Sequence, residues 1–481
     1  LLRLVFSFSF FIFFFSSYLA EAEFSFSSRD DSVFVSGVPV TSDTTLVFIK
    51  TISIIGNKKT RAEIILRELT FQQGDTVSQS RIPAELQRSK ENLLNTSLFN
   101  FADIFYKEES EEVIVIVSER WYVWPVPIFE LVDRNLNEWL LKKDFSRTNY
   151  GFYLAMYNFR GRNETLALAF RNGYTKKYSM QYTIPYINKN KQEGISLQFS
   201  YAQNHEIAYD TYQNKLQYYH NDAESVLKEL YGGIQFNFRR ELYYTSSFKI
   251  EYDETHVSDS VPFLNPEYFN NGSARQKYFG FVFLYRDDHR DLVSYPLHGT
   301  YFDFEAVKKG FDVFGDDVNQ LYLTSSFRYH SELKKNIFFA TEVKGKLSGR
   351  SSQPYNVTRA LGYGRDYVRG YEYYVVNGQN FFLMKNNLKL RLLPTFVKKF
   401  NFIPSEKFST IPFSFYMNVF YDIAYVRDRQ FSEHNSLANQ WLPGYGVGID
   451  FSSYYDIIIR VEYSINKFAE KGFFIHFTLS I

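Results

Sequence analysis

The sequence predicts an all-β transmembrane barrel of about 16 antiparallel strands, preceded by one small α+β domain of order βααββ. Three observations carry this. From Asn149 to Ile481 apolar and polar residues alternate with period two, in repeated segments of roughly ten residues. Aromatic residues make up 20% of the chain, with 51 Phe and 39 Tyr, and large aromatics favour strands and membrane–water interfaces. Before Asn149 the pattern is instead strand, helix, helix, strand, strand. With 54 basic and 53 acidic side chains, the net charge of +1 leaves no clustered excess to mark a nucleic-acid binder. Cysteine is absent, which disfavours a disulfide-built scaffold and an acylated lipoprotein. A mean hydropathy of −0.30 disfavours a bundle of membrane helices.

Residues 1–22 read as a secretory signal peptide. Arg3 precedes the apolar run Leu4–Phe15, and Ala20-Glu21-Ala22 supplies a cleavage site. Residues 23–45, rich in Ser, Thr and Asp, read as a disordered tail. Residues 46–119 form the small domain. Ile49, Ile52, Ile54 and Ile55 give a strand that stops at Gly56-Asn57. Thr60 and Glu63 have capping-box spacing for a helix through Leu69. A second helix runs from about Ile82 to Leu98, facing the core with Leu86, Leu93 and Leu94. Ala102–Tyr106 and Val113–Val117 are two strands across an acidic turn. Residues 120–148 read as a junction at the membrane interface, with Trp121, Trp124, Pro125 and Pro127 followed by Trp139-Leu140-Leu141-Lys142-Lys143.

Residues 149–481 read as the barrel. The alternation places strands near 149–160, 163–173, 176–187, 193–209, 213–220, 225–240, 242–256, 277–289, 298–310, 318–331, 335–348, 381–394, 411–426, 443–452, 455–465 and 471–481. Such a sheet must close, because open edges leave unpaired backbone groups in lipid. Short turns then fall on the small domain's side, and the longer loops 257–276, 349–380 and 427–442 on the other. One strand shows the logic: Phe413, Phe415, Met417, Val419, Tyr421 and Ile423 face outward, while Ser414, Asn418, Asp422 and Ala424 face the lumen. The loop from Arg359 to Tyr371 is punctuated by Gly362, Gly364 and Gly370 and carries basic residues among aromatics. Either it is a solvent-exposed tip, or it folds back and is pinned by an ion pair.

The ordered motifs resemble the BamA/TamA superfamily of outer-membrane proteins, of the bacterial surface antigen type. There, POTRA (polypeptide-transport-associated) domains precede a sixteen-stranded barrel. Ile52–Val117, with Gly56-Asn57, Arg67-Glu68-Leu69, Gly74-Asp75 and Phe99, is similar to one POTRA domain. Val368-Arg369-Gly370-Tyr371 matches the family's V-R-G-F/Y motif on the sixth extracellular loop, here 349–380. Arg286-Asp287-Asp288, with Pro296 and Gly299, resembles its turn motif, and Phe420–Ala424 its F-x-D-x-G strand. The resemblance implies that the loop folds into the lumen and that Arg369 pairs with Asp422. Where the family often has a second acidic partner, on the strand after the loop, this chain has Lys389 beside Lys385, Asn387 and Arg391. The latch is therefore expected to rest on Asp422 alone.

The resemblance further implies a non-enzymatic outer-membrane factor of a Gram-negative bacterium, with its POTRA domain in the periplasm. It would insert, assemble or translocate unfolded outer-membrane or secreted client proteins. The partners it implies are these clients and membrane lipid, with accessory periplasmic or lipoprotein subunits a further compatible class. Client strands would be received at a POTRA strand edge and at the seam between the first and last strands, where Gly151, Gly472 and Ile481 lie. A dedicated secretion pore and a passive porin are the alternatives. No catalytic constellation, cofactor motif or metal-ligand spacing emerges. The cluster Asp287, Asp288, His289 and Asp291 fits no known cage and reads as a charged turn at a barrel rim.

Overall fold

A computed structural model describes residues 45–131, 148–270, 272–315, 318–349, 352–453 and 456–477. The predicted signal peptide and nearly all of the tail lie outside these residues, as do Trp139–Lys143 of the junction and Ile481. In the N-terminal domain β1 (Leu46–Phe48) pairs with β3 (Thr76–Ser78). Strands β2 (Thr51–Ile55), β4 (Phe99–Lys107) and β5 (Glu112–Glu119) form a three-stranded sheet in the order β2-β5-β4. Helices α1 (Ala62–Leu66) and α2 (Ile82–Asn95) complete the domain. Ile64, Ile65, Leu93, Val113 and Val115 bury fully in one core, each stabilising by about 1.5–3 kcal/mol.

Two local expectations fail. The capping box does not form: Arg61 is the α1 N-cap, without a side-chain bond. Thr60 instead donates from its backbone N and its Oγ1 to Glu119 Oε1, at 2.7 and 2.8 Å, tying the loop to the end of β5. Helix α1 also stops at Leu66 rather than Leu69.

The large sheet has sixteen strands, each antiparallel to its chain neighbour in the sheet. It comprises β6 (Val123–Leu131), β7 (Thr148–Phe159), β8 (Glu164–Gly173), β9 (Lys176–Ile184) and β10 (Glu193–Asn204). After a separate hairpin, β11 (Glu206–Tyr212) and β12 (Lys215–His220), follow β13 (Leu227–Phe238), β14 (Tyr244–Val257) and β15 (Arg275–Asp288). A short helix α3 (Ser260–Leu264) lies in the loop between β14 and β15. Next are β16 (Gly299–Lys309), β17 (Gln320–Lys334) and β18 (Ile337–Ser348). The long loop after β18 contains the small pair β19 (Arg359–Leu361) and β20 (Val376–Asn377). The sheet ends with β21 (Asn380–Lys399), β22 (Thr410–Arg427), β23 (Trp441–Ser452), β24 (Ile458–Asn466) and β25 (Lys471–Phe477), with helix α4 (Glu406–Ser409) before β22.

The strand number matches the sequence reading, but the membership does not. Residues 213–220 are no barrel strand; β11 and β12 pair only with each other, above the lumen. The missing strand is β6, in the segment read as a junction, so the sheet begins at Val123 and not at Asn149. Pro125 and Pro127 hid it, since proline disfavours a strand interior. It is tolerated here because β6 is a terminal strand, and each missing N–H faces away from the ladder with β7. Among the described residues β6 pairs with β7 alone and β25 with β24 alone. Along β22 the period-two pattern holds: Asn418, Asp422 and Ala424 are fully buried, whereas Met417, Val419 and Tyr421 are exposed on the outer face.

Candidate functional site

Loop six folds onto the inner wall formed by β21 to β25. Arg369 is 1% exposed and Asp422 0%. Arg369 Nε donates to Asp422 Oδ2 at 2.8 Å and Nη2 to Oδ1 at 2.5 Å, a two-pronged, charge-assisted contact. Its backbone N also donates to Asp422 Oδ2, at 3.2 Å. Arg369 Nη1 donates to Asn387 Oδ1 at 2.7 Å and to Glu462 Oε1 at 3.2 Å. Beneath them the guanidinium carbon lies 3.9 Å from the centroid of the Phe420 ring.

The expectation of a single acidic partner is therefore corrected. Glu462, on β24, is the second carboxylate, and it reaches Arg369 across β23. Glycine makes this geometry available. Gly444, Gly446 and Gly448 are three successive inward positions of β23, leaving a bare trench along this part of the wall. A Cβ at Gly444 would lie 2.0 Å from the Arg369 carbonyl oxygen, and one at Gly446 2.6 Å from the Phe420 ring. Gly370 has φ +95°, a conformation that favours glycine, and its carbonyl accepts from Asn466 Nδ2 at 3.0 Å. Tyr371 donates its hydroxyl to the Pro443 carbonyl at 3.0 Å, and Val368 is buried in the same cluster as Leu383 and Leu442.

A second ion pair adjoins the first. Arg460 on β24 donates to Asp450 on β23 at 2.7 and 2.9 Å. Asp450 also accepts from Asn418 and from Tyr295, both at 2.8 Å. On β25, His476 Nε2 lies 3.4 Å from Glu462 and 3.7 Å from Glu372 of the loop. Lys389 stands 4.4 Å from the Tyr295 ring centroid. One connected polar cluster thus joins loop six to the last five strands.

The turn motif lies elsewhere. Asp288 binds Arg290 at 2.7 and 2.5 Å with both nearly buried, and Asp287 meets His289 at 3.1 Å. Pro296 is buried in the turn after β15, and Gly299 has φ +103° with a Cβ position 2.1 Å from the His289 carbonyl oxygen. Arg286 lines a polar cavity of about 210 Å³ on the opposite inner wall, with Asp303 and Lys344. Tyr295 in this turn links it to the latch cluster through Asp450.

Gly151 lies on β7, the second strand, so it is not at the seam; a Cβ there would meet the Phe170 carbonyl at 1.9 Å. Gly472 does lie on the last strand, β25.

The N-terminal domain sits against the turns on its side of the barrel. Glu68, fully buried, takes two 2.7 Å bonds from Arg239 after β13. Arg67 donates to the carbonyls of Lys191 and Arg239, and Arg61 N to that of Gly161. Asn95 exchanges bonds with Asp291 and Val293, and Arg120 holds Asp456 at 2.6 Å. Asn100 donates to the Lys407 carbonyl. Tyr186 of the β9–β10 turn joins the domain's own core. Burial raises the Glu68 carboxyl pKa, but Arg239, Arg67 and Tyr186 together outweigh burial and hold it below its ordinary value.

Comparisons with known proteins agree with this architecture. Residues 158–470 match the Omp85 superfamily domain, and residues 47–120 match POTRA, the surface antigen variable number repeat. Among solved structures, the chain is similar to BamA from Haemophilus ducreyi lacking POTRA domains 1–3, at 15% identity and TM-score 0.48, covering 90% of this chain and 83% of that one. It is also similar to CdiB from Acinetobacter baumannii, at 13% identity and TM-score 0.49, covering 89% and 74%. No curated protein sequence matches it.

Proposed function

Since the chain belongs to the Omp85 superfamily, we propose that this outer-membrane β-barrel inserts or translocates other proteins, with its POTRA domain in the periplasm. It does so without an enzymatic step, by lending backbone edges to extended client segments. The observation that carries this reading is the construction of β6. Pro125 and Pro127 remove two N–H donors from the edge that would meet β25. A ladder across that seam is correspondingly weak, and a client strand can compete for the β25 edge. The correction to the strand order moves the seam from Gly151 to Val123–Leu131.

Delivery follows from connectivity. Strand β5 leads into β6 through only Arg120, Trp121 and Tyr122. β5 is central in the POTRA sheet, so the receiving edges are β2 and β4. Client handling needs no fuel, because pairing and burial in lipid drive it.

A cysteine pair linking β6 to β25 tests the reading; the native chain has no cysteine to interfere. The oxidised barrel is expected to fold but to stop client assembly, and reduction to restore it. Pro125→Val with Pro127→Val is expected to slow assembly in the same direction. Undiminished assembly by the fully locked barrel would overturn the proposal.

A further inference from the structure

Strands β21 and β22 continue past their neighbours. β18 pairs with β21 only as far as Ile337↔Leu390, leaving the stretch from Leu393 to Lys399 paired solely with β22. β23 reaches β22 no further than Ser414. The extension lies on the POTRA side, where Lys407 Nζ donates to the Arg120 carbonyl.

Its height relative to the bilayer follows from the aromatic residues on the outer wall. At one end Tyr425 packs on Trp441 at 5.3 Å and Phe382 on Trp441 at 6.3 Å. At the other, Phe413 packs on Phe451 at 5.8 Å and on Phe396 at 5.5 Å. The 12 residue steps from Phe413 to Tyr425, on a strand tilted about 40°, span about 30 Å along the barrel axis. That is the thickness of a hydrocarbon core, so the two aromatic groups mark its two faces.

Lys398 pairs with Ile411 and Lys399 with Thr410, two and three positions beyond Phe413. They therefore stand at headgroup depth. Lys398 Nζ lies 5.4 Å from the Phe400 ring, and Phe402 beyond it is 81% exposed. The adjoining turn adds exposed Lys334 and Lys335 and is joined to the hairpin by Arg391 N donating to the Asn336 carbonyl. Between Arg391 and Lys407 the sequence has four basic residues and one acid. The acid close to the neighbouring lysines, Glu332, is engaged by the backbone N of Asn336.

A protein strand is a poor occupant for the free edge of this extension, because Pro394 and the lysines interrupt it. The continuous apolar wall, the aromatics and the positive charge instead match one surface. We propose that the β21–β22 hairpin end is a docking site for anionic phospholipid headgroups in the leaflet on the POTRA side. Lys398, on the outer face with Phe396, holds the phosphate, and Lys399 adds charge from the other face of the strand, while Phe396 and Phe402 anchor the hairpin in the interface. The proposal rests on the membrane-spanning barrel and is independent of client handling.

The absence of cysteine makes one label unique. The full chain carrying Asn401→Cys, labelled with a fluorophore, is reconstituted in phosphatidylcholine bilayers with equal small fractions of spin-labelled phosphatidylglycerol or phosphatidylcholine. The phosphatidylglycerol probe is expected to quench about threefold or more strongly. The preference should vanish in Lys398→Gln/Lys399→Gln and fall in high salt. A label at Ser273→Cys, on the opposite face, is expected to show no preference that these lysines control. Equal quenching in the unmutated hairpin, or a preference surviving in the double variant, would overturn the proposal. If the variant fails to fold, the salt series on the unmutated hairpin decides. Client assembly enters none of these readings, so the two proposals fail separately.

Discussion

Arg369 is surrounded so completely that its removal strands the Asp422 carboxylate inside the wall, while Glu462 keeps Arg460 at 3.7 Å. Truncating one member of a buried pair is strongly destabilising, because the remaining charge has no solvent. Arg369→Ala is expected to lower barrel stability by about 3–5 kcal/mol and to make loop six protease-sensitive. Urea unfolding and limited proteolysis check this, with Glu462→Gln expected to have the smaller effect. Arg369 and Asp422 were legible beforehand, one from its motif and one from strand parity. Glu462 carries no motif, and only strand parity turns it inward. Nothing in the linear pattern says that an arginine will reach across an intervening strand. The three glycines spaced by two on β23 were the available signal, because a strand without side chains leaves room for its neighbours' partners.

At the scale of elements, period-two alternation identified half-buried strands but not the sheet to which each belongs. Strand β12 alternates as a barrel strand does, yet it pairs only with β11. This hairpin arches over the lumen. Asn435 Nδ2 donates to the Thr211 carbonyl, Asn435 Oδ1 accepts from Asn214 N, and Thr211 Oγ1 accepts from Asn377. Replacing residues 206–220 with a short turn is expected to leave the barrel folded and to raise its single-channel conductance. Planar bilayer recordings check this; unchanged conductance would place the main barrier in loop six. The prolines of β6 carried the opposite error, since a rule for strand interiors was applied to a terminal strand. One omission and one addition cancelled, which is why the strand number came out right.

For the whole molecule, the contacts between the POTRA domain and the barrel reach the turns around Gly161, Lys191, Arg239, Asp291, Lys407 and Asp456. The sequence placed the domain on the side of the short turns but gave no hint of this docking, because partners separated by 171 positions, such as Glu68 and Arg239, leave no local pattern. Their pairing makes docking dependent on pH. The Glu68 carboxyl is held below its ordinary value of 4.5. Its contribution is therefore fully present above about pH 4.5 and is lost as pH falls through the depressed value. Interdomain distances from spin labels are expected to lengthen on acidification in that window, and Glu68→Gln to loosen docking already at neutral pH.

The three-residue passage from β5 to β6 also makes the molecule directional under load. β6 is joined to β7 by a ladder of nine positions, Val123↔Met156 to Leu131↔Thr148. A tug on the POTRA sheet along the axis of β6 loads all nine in shear, whereas a sideways tug peels them one at a time from Val123. A load on the POTRA domain can thus start to unfasten the wall or leave it shut, according to its angle of approach.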